Sequence, residues 1–478
     1  MPGAVAHVAR RNPGGLRNGS MNTHMCRLLF TMALGALLPA SSGAEPAGSR
    51  AHRVAIVTGT PGCVAFWDFV KREPQGARRF TAHVPAGAEN EFPLDAGNYV
   101  HDYWGEGRDA TYADFPLLGR GPFGEAVRIR RETDPAFRPF LYVPRTRLHD
   151  SPIDLKGKDQ SVTVVVWAIR ESGNHALAGI WHEGTDLKQN ETSTIKKVER
   201  GQRQYALFAG LNKEGSACGH ISENGASSFL NRYALHKCNS AEVSPAVSAD
   251  SPAAVLDASW QCFAMTYSHT TRELTGWLNG ESGDRWLENP KSDRLISSAY
   301  QAWLQGRLHR EPGLEVGEDP AFPPDQFYNP PEDELISARV VSESADERIE
   351  LREFRYTRLS VTLRKGPDGS FTETARDLVA LRLNPWWFSH DQLYTPADDG
   401  TGGPFTIGRV IHSSRGVGFT GWIGGVAVFN RALSAEELMT LASVGREPPL
   451  TRTDAGRATP AAPASVPGGR PTGIVVRK

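Results

Sequence analysis

The segment that decides the fold is Phe405–Ala442, with the sequence FTIGRVIHSSRGVGFTGWIGGVAVFNRALSAEELMTLA. Its middle part carries apolar side chains at both sets of alternating positions: Trp422, Val426 and Val428 on one side, and Ile423, Ala427 and Phe429 on the other. Successive side chains of a strand point to opposite faces of a sheet, so this pattern predicts a strand that is covered on both faces.

The end of the same segment, LSAEELMTLA, predicts a short helix. Ser434 stands at the N-cap position and Glu437 follows three residues later, which is the spacing of a capping box. A doubly covered strand that is followed at once by a helix indicates the closing elements of a β-sandwich. The other strands are therefore expected upstream.

The upstream sequence supplies these strands. The run SVTVVVWAIRES at 161–172 is almost entirely β-branched or aromatic, and WQCFAMTYSHTTRELTGWLNGES at 260–282 predicts a hairpin. Residues 52–71 predict two further short strands around a Pro-Gly turn. Five tryptophans within these patterns are expected in the core: Trp67, Trp167, Trp260, Trp277 and Trp422. The sequence thus predicts an all-β fold, a two-sheet antiparallel sandwich with a long insertion at about 283–404 and a short C-terminal helix.

The two ends of the chain are predicted to lie outside this fold. Arginines precede the apolar run LLFTMALGALL and small residues follow it, so residues 1–44 are predicted to be a secretory signal peptide. A start at Met21 or Met25 would give a signal of more usual length. The apolar run is shorter than the roughly 18 residues that span a bilayer, and no later run is long enough. Residues 446–478, rich in Pro, Ala and Gly, are predicted to be a disordered tail. We therefore expect a secreted protein, in a periplasmic or extracellular location.

Composition and charge exclude some classes of partner. The formal net charge of the 478 residues is −1, which gives no electrostatic basis for binding nucleic acid or an anionic membrane surface. Gly119, Gly121 and Gly124 have the spacing of a dinucleotide-binding loop, but the sequence after them, VRIRR, predicts a strand instead of the required helix. A nucleotide site is therefore rejected.

Four cysteines follow the predicted signal peptide, and an oxidising compartment favours disulfides. Cys218 and Cys238 bracket a loop rich in Gly, Ser and Asn, and we predict that they form a disulfide. Cys63 and Cys262 lie in apolar strand-like runs, where a bond across the sandwich and two buried free thiols are both consistent with the sequence.

Several motifs, in one order along the chain, give a more specific expectation. VAFWDF at 64–69, GPFGEAVRI at 121–129, the strand at 161–172, a W-x5-T-Y strand with an Asn-Gly hairpin, and the final strand with N-R-A-L-S-x-E-E follow one another. In these motifs the chain resembles the laminin-G-like jellyroll domains of the concanavalin A-like lectin/glucanase superfamily. The resemblance covers 52–445 and implies a jellyroll sandwich of a kind that binds, or in some members hydrolyses, glycans.

The chain departs from that family in one place, and it lacks a catalytic pattern. Relatives usually carry an acidic pair where this chain has Gly424 and Gly425, so the role of that pair does not transfer. The E-x-D-x-x-E arrangement of the glucanase branch does not occur. Glu347 and Glu350 are three residues apart in a predicted strand, so their carboxylates face opposite sides, whereas a retaining glycosidase needs two within about 5 Å. No catalytic residue is predicted.

The best candidate binding site in the sequence is an aromatic run. Sugars present apolar C–H faces, which bind aromatic platforms beside a few polar groups. The predicted ligand-binding residues are Trp386, Trp387, His390, Asp391 and Tyr394. A second cluster consists of His101, Asp102, Tyr103 and Trp104. In both clusters the alternative is that the aromatic residues only pack the fold.

Calcium is common in the superfamily that the chain resembles, and it requires six to eight oxygen ligands. The acidic, Gly-rich loop at Asp398 and Asp399 is the nearest match in the sequence, although an ordinary turn explains it equally well. No cofactor is otherwise predicted.

Three functions remain open at this point. The first is a secreted, non-catalytic, lectin-like module that binds a glycan or an extracellular protein. The second is a glycan-active hydrolase or lyase of the same fold. The third is a structural or adhesive sandwich without a small ligand.

Overall fold

The computed structural model describes residues 48–451, with gaps at 75–78, 173–175, 183–200, 211–212, 226–238, 249–251, 272, 284–285, 289–334, 355–356, 383–391, 397–401 and 413–417. The predicted signal peptide and residues 452–478 lie outside this part. None of the helices in the described residues has the length and apolar character needed to cross a bilayer.

Two antiparallel sheets form a sandwich. The first sheet has the strand order β1-β21-β7-β11-β12-β13, with β4 also paired to β21. Its strands are β1 (Cys63–Trp67), β4 (Val127–Ile129), β7 (Val162–Arg170), β11 (Gln261–Ser268), β12 (Glu273–Leu278), β13 (Glu281–Ser282) and β21 (Gly421–Phe429). The second sheet has the order β10-β9-β8-β20-β5-β2. Its strands are β2 (Asp95–Asn98), β5 (Pro139–Val143), β8 (Ala176–His182), β9 (Gln202–Ala209), β10 (Ala217–Gly225) and β20 (Phe405–Ile407).

The remaining elements are smaller. A third sheet has the order β14-β18-β17-β16-β15. Its strands are β14 (Trp286–Glu288), β15 (Leu335–Glu343), β16 (Glu347–Phe354), β17 (Thr357–Lys365) and β18 (Phe371–Arg382). Two short pairs are β3 (Arg120–Gly121) with β22 (Leu450–Thr451), and β6 (Gly157–Lys158) with β19 (Gln392–Leu393). The helices are α1 (Arg50–Gly59), α2 (Tyr99–Trp104), α3 (Arg145–Leu148), α4 (Pro252–Asp257) and α5 (Ala435–Arg446), with a 3-10 turn at Tyr112–Asp114. The predicted fold class is thus confirmed.

Strand β21 is buried on both faces, as the sequence predicts, but its alternation changes within the strand. Ile423 lies on the same side as Val426 and Val428, in the core between the two sheets. Ala427 and Phe429 lie on the other side, under the helices. The register against β7 shifts between Ile423 and Gly425, which marks a β-bulge. Because a bulge adds one residue to one strand, the side assigned to Ile423 in the sequence pattern is wrong.

The two glycines at this bulge are required by packing. A Cβ on Gly424 would lie 2.6 Å from Cδ of Pro122 and 2.9 Å from Cζ3 of Trp260. A Cβ on Gly425 would lie 2.7 Å from Cε2 of Phe123. The space beside both positions is therefore filled by neighbouring rings.

Two helices cover the outer face of the first sheet. Leu438 and Leu441 of α5 and Val57 of α1 form one apolar cluster with Trp167 and Phe429. Trp167 Nε1 donates a hydrogen bond to the Leu441 carbonyl at 3.1 Å. The capping box is confirmed, because Ser434 Oγ accepts from the Glu437 amide at 3.3 Å and the Glu437 carboxylate accepts from the Ser434 amide at 2.9 Å.

One of the two predicted N-terminal strands is a helix. The run VAIV within α1 is apolar and β-branched, which favours a strand in isolation. In the structure, Ser49 Oγ caps the helix by accepting from the His52 amide at 3.1 Å, and Val57 packs under α5. Here the capping bond and tertiary packing outweigh the intrinsic strand preference.

Other local predictions hold. Of the five tryptophans expected in the core, Trp67, Trp167 and Trp260 are buried, whereas Trp277 and Trp422 are half-buried. Asn279 and Gly280 have φ of 55° and 85°, as a type I′ hairpin between β12 and β13 requires. Strand β4 follows the glycines at 119–124, in agreement with the rejection of a nucleotide loop. Within the segment predicted as a tail, Arg446 ends α5 and β22 pairs with β3.

Among the described cysteines, Cys63 and Cys262 are free thiols. A disulfide between Cys63 and Cys262 across the sandwich is excluded, because both cysteines lie in the first sheet. Their strands, β1 and β11, are three positions apart, which separates them by about 14 Å. Burial raises the pKa of each of these two thiols to about 12. Cys238 lies outside the described residues, so the Cys218–Cys238 disulfide stays a prediction.

The third sheet has an apolar cluster of its own, which includes Leu359, Val361 and Leu363 of β17. Arg352 of β16 and Glu373 of β18 form an ion pair at 3.3 Å across β17, so this pair lies over the apolar row. Glu347 is opposite Arg364 and Glu350 is opposite Val361, so the two carboxylates face opposite sides, as predicted.

Asp68, directly after β1, holds the first loop. Its carboxylate accepts from the amides of Val70 and Lys71 at 2.9 Å, from His83 Nε2 at 2.9 Å, and from Arg50. Burial alone would raise the pKa of this carboxyl, but the His83 and Arg50 contacts outweigh burial and lower the pKa to about 2. The ionised carboxylate therefore stabilises the fold.

The bulge glycines yield the first prediction. We expect Gly424→Ala and Gly425→Ala each to destabilise the fold by about 1–3 kcal/mol, because the added methyl group overlaps packed rings. Urea unfolding followed by tryptophan fluorescence measures the change. Gly59→Ala is the control, since a Cβ there meets no atom within 4 Å. Equal stability of the bulge variants and the control would contradict the packing argument.

The second prediction concerns Asp68. Its lowered pKa contributes stability above the unfolded-state value near pH 4, and this contribution is lost as the pH falls toward 2. We expect Asp68→Asn to cost about 2 kcal/mol at neutral pH and progressively less at acid pH. Urea unfolding across pH measures this difference, with the exposed Glu89→Gln as the control. A cost that does not depend on pH would show that the carboxylate charge is not the stabilising feature.

Candidate ligand-binding site

The second sheet has an outer face that carries aromatic side chains. On β5, Leu141 and Val143 belong to the core between the two sheets. The alternate residues, Phe140 and Tyr142, lie on the opposite face in a separate apolar cluster with α2. The site described below lies on this outer face, over β2 and β5.

Asn98 is the last residue of β2. Its side chain makes four hydrogen bonds that fix the segments around the site. Its Oδ1 accepts from the amides of Val100 at 3.2 Å and Arg138 at 2.9 Å. Its Nδ2 donates to the carbonyls of Arg108 at 2.7 Å and Ala136 at 2.9 Å. This fully buried side chain therefore caps α2 and ties two loops to the start of the helix.

Helix α2 is a single short turn with two distinct sides. Tyr99, Val100 and Trp104 are buried against Phe140. The other three residues, His101, Asp102 and Tyr103, are exposed. Gly105 ends the helix in the left-handed conformation, with a φ of 67°. The cluster noted in the sequence is therefore divided, because Trp104 packs the fold and the other three members face outward.

Gly97 brings Asp102 and Tyr142 together. A Cβ on this glycine would lie 2.8 Å from Cε1 of Tyr142 and 3.4 Å from Oδ2 of Asp102. Because Gly97 has no side chain, the Tyr142 ring and the Asp102 carboxylate both lie over its backbone. Tyr142 is half-buried, with its ring packed against Phe140 at a centroid distance of 4.8 Å.

Tyr103 follows Asp102 on α2 and contacts β8. Its ring meets the ring of His182 edge to face at 4.9 Å. His182 is opposite Gln202 of β9, and Gln202 accepts a hydrogen bond from the hydroxyl of Tyr394 at 3.2 Å. Tyr394 is the predicted site residue that the structure describes. It is therefore connected to the α2 cluster through two neighbouring strands.

The electrostatics of the site are acidic. Burial raises the pKa of Asp102, against an opposing contribution from His101. Burial also raises the pKa of Tyr142 to about 12, with further contributions from Asp102 and Asp95. The pKa of Tyr103 is raised in the same way by burial and by Asp102. Both phenols therefore stay neutral and available as hydrogen-bond donors at physiological pH.

His101, Asp102 and Asp109 place one nitrogen and two carboxylate oxygens within 4.8 Å of one another. All three residues are exposed. Calcium requires six to eight oxygen ligands, so this set does not fit calcium. The predicted calcium ligands Asp398 and Asp399 lie outside the described residues, and calcium binding there stays a prediction.

The remaining predicted site residues, Trp386, Trp387, His390 and Asp391, also lie outside the described residues. Sequence reasoning missed Gly97, Tyr142 and Asp109. Gly97 and Tyr142 belong to two short strands that become neighbours only in the folded sheet. The aromatic run PFLYV of β5 was a readable signal for an aromatic face, because Phe140 and Tyr142 alternate with core residues.

Comparison with known proteins finds no matching family model and no matching curated protein. Among solved structures, the chain is similar to domain 4 of AbnA, a GH43 extracellular arabinanase from Geobacillus stearothermophilus, in complex with arabinotriose (TM-score 0.32, 9% identity, 80% of this chain and 98% of that chain). It is also similar to Trypanosoma rangeli sialidase in complex with sialic acid (TM-score 0.25, 9% identity, 80% and 33%). A third match is a structure of botulinum neurotoxin type C, described as dependent on two ganglioside molecules for cell entry (TM-score 0.29, 7% identity, 81% and 52%). The chain thus spans about a third of the sialidase and half of the toxin chain, and similarities at these TM-scores carry no argument about function.

The third prediction tests Asn98. We expect Asn98→Ala to destabilise the protein by about 3 kcal/mol, because it leaves buried amide and carbonyl groups without partners. Amide hydrogen exchange at Val100 and Arg138 should accelerate with it. His101→Ala, on the exposed side of the same helix, is the control and should change stability by less than about 0.5 kcal/mol. Unchanged exchange at both amides in Asn98→Ala would contradict the assigned role.

Proposed function

We propose that the protein is a secreted, non-catalytic, lectin-like module that binds a glycan on the outer face of its second sheet. The observation that carries this proposal is the position of Asp102 and Tyr142 over the backbone of Gly97, with the exposed Tyr103 next to Asp102 on α2. The sequence resemblance to laminin-G-like jellyroll domains supports the same assignment, as does the predicted signal peptide.

The chemistry of the group suits a sugar. Tyrosine rings offer an apolar surface for the C–H face of a pyranose, and they lose little conformational freedom on binding. Carboxylate oxygens accept hydrogen bonds from vicinal hydroxyl groups, and Asp102 and Asp109 supply these acceptors beside the rings. The backbone under Asp102 is fixed by Asn98, so the polar group is held in place before a ligand arrives.

A third tyrosine is connected to this group. Tyr394 is linked to Tyr103 through Gln202 and His182, which places a third tyrosine along the same edge of the sheet. The predicted residues Trp386 and Trp387 precede Tyr394 by only a few positions. We infer that the site extends from Tyr142 toward this segment and accommodates an oligosaccharide.

The fourth prediction is the test of this function. On a glycan array the purified protein should bind a defined subset of glycans, and Tyr103→Ala should reduce that binding about tenfold, because an aromatic contact is worth about 1–1.5 kcal/mol. Trp387→Ala tests the extension of the site in the same experiment. Met439→Ala, which truncates an exposed side chain of α5, is the control and should bind like the unaltered protein.

Three outcomes would overturn the proposal. Unchanged binding by Tyr103→Ala would remove the outer face of the second sheet as the site. New reducing ends or unsaturated products after incubation with polysaccharides would show that the protein is an enzyme. Absence of glycan binding together with capture of a specific extracellular protein would favour the protein-binding alternative.

A further inference from the structure

We propose that β15 is a self-association surface, on which a second copy of the chain adds its own β15 in antiparallel orientation about a two-fold axis at Ala338. This inference goes beyond the proposed function and does not depend on it. It follows from the exposure of one edge strand of the third sheet and from the order of the residues along that strand.

Strand β15 is an edge strand with an unusual concentration of exposed apolar side chains. Among the described residues it pairs with β16 alone, and all nine of its residues are exposed. The described part of the chain has nine large apolar side chains that are exposed, and four of them lie on β15: Leu335, Ile336, Val340 and Val341. Exposed apolar side chains that are clustered in this way mark an interaction surface, whereas scattered ones are ordinary.

The opposite edge of the same sheet has a different character. Outside its short pairing with β14, strand β18 carries exposed charged residues at Glu373, Arg376 and Asp377. Charged side chains and β-bulges commonly protect edge strands from pairing with another chain. β15 also has bulges against β16, but the residues that the bulges add, Ile336 and Val341, are apolar. The β15 edge therefore lacks the charges that protect the β18 edge, and its free main-chain groups are open to a further strand.

The order of residues on β15 fits a second copy of the same strand. In an antiparallel pair centred on Ala338, Ile336 lies opposite the second copy's Val340, and Leu335 lies opposite its Val341. Two-fold symmetry repeats both pairs, so all four exposed apolar side chains acquire an apolar neighbour. The pairing also occupies the β15 edge of both copies, which gives a closed dimer.

Arg339 distinguishes this centre from its neighbours. With the axis at Ala338, Arg339 lies opposite the second copy's Ser337. An axis at Arg339 would place two arginines opposite each other, and an axis between 337 and 338 would place Ile336 opposite Arg339. An axis between 338 and 339 would place Val340 opposite Ser337. Like charges that are directly opposite are destabilising, and the mixed pairs lose apolar contacts, so the axis at Ala338 is favoured.

Sedimentation equilibrium of the full chain measures the association. We expect the molar mass to rise from the monomer value toward twice that value over about two decades of micromolar concentration, because a single strand pair is a small interface. Amide hydrogen exchange on β15 should become slower at the high end of this range, where the second copy accepts hydrogen bonds from the outer amides.

Charged variants test which residues lie opposite each other. Ile336→Lys should dissociate the dimer, because it places a lysine opposite Val340 twice. Combination with Val340→Glu should restore association, because each new lysine then faces a new glutamate, whereas combination with Val340→Lys should not. Ala375→Lys adds a lysine to the exposed part of β18 and is the control, which should associate like the unaltered protein.

A single cysteine tests the position of the two-fold axis. Residues that are directly opposite in an antiparallel pair have Cα atoms about 4.5–5.5 Å apart, which a disulfide can bridge. Ala338→Cys should therefore give a disulfide-linked dimer after mild oxidation, seen on a non-reducing gel. Ser342→Cys is the matched control, because the two copies of this residue would lie about 27 Å apart along the paired strands.

Several outcomes would overturn the inference. A monomer at every concentration would do so, and protected β15 amides in that monomer would show that another segment of the same chain covers the edge. A dimer that persists in Ile336→Lys would use another surface. A dimer that Ile336→Lys dissociates but that Ala338→Cys does not link would have a different axis. Growth beyond a dimer would show open-ended pairing instead of a closed two-fold.

Discussion

Burial of β21 on both faces is the constraint on which the rest of the structure depends. The second sheet covers one face of β21, and helices cover the other face. Burial of both faces of this strand therefore requires three layers of secondary structure. The bulge at Gly424 and Gly425 lets β21 satisfy both sides while it passes under Trp260 and Phe123. The helices α1 and α5 follow from the same requirement, because an apolar outer face on the first sheet would otherwise contact water.

This arrangement determines where a ligand can bind. The first sheet is covered by α1 and α5, whereas over β2 and β5 the described residues of the second sheet pack against the short helix α2 and Ile411. Asn98 is the last residue of β2 and also the N-cap of α2. One side of this short helix therefore lies beside Tyr142. The site is thus a consequence of how one strand ends, and its polar and aromatic groups come from three separate segments.

The parts of this structure that were predictable from sequence are those with local causes. The capping box of α5 and the Asn279–Gly280 hairpin depend on residues that are close in sequence, and both are present. Helix α1 was not predictable from its own residues, because VAIV is compatible with a strand until Val57 packs under α5. The side assigned to Ile423 failed because a bulge resets the alternation, although a Gly-Gly pair in a strand is itself a signal for a bulge.

The candidate site shows the same distinction. The sequence singled out residues 101–104 as an aromatic and acidic cluster, since they are contiguous. It gave no means of placing Tyr142 against Asp102, because that contact requires β2 and β5 to pair and requires position 97 to lack a side chain. The pairing of short strands that are distant in sequence gives little signal in a single sequence. A glycine at position 97 is visible in the sequence, but its effect can be interpreted only when its neighbours in the fold are known.

The buried thiols have a consequence for handling the protein. Thiolate is the reactive form of cysteine, and a pKa near 12 leaves only about one thiol in 100,000 ionised at pH 7 for Cys63 and Cys262. Oxidants, alkylating reagents and mixed disulfides should therefore scarcely attack these two positions in the native state. Their modification by a maleimide dye would report opening of the helix-covered face, so the two cysteines are built-in probes of local unfolding.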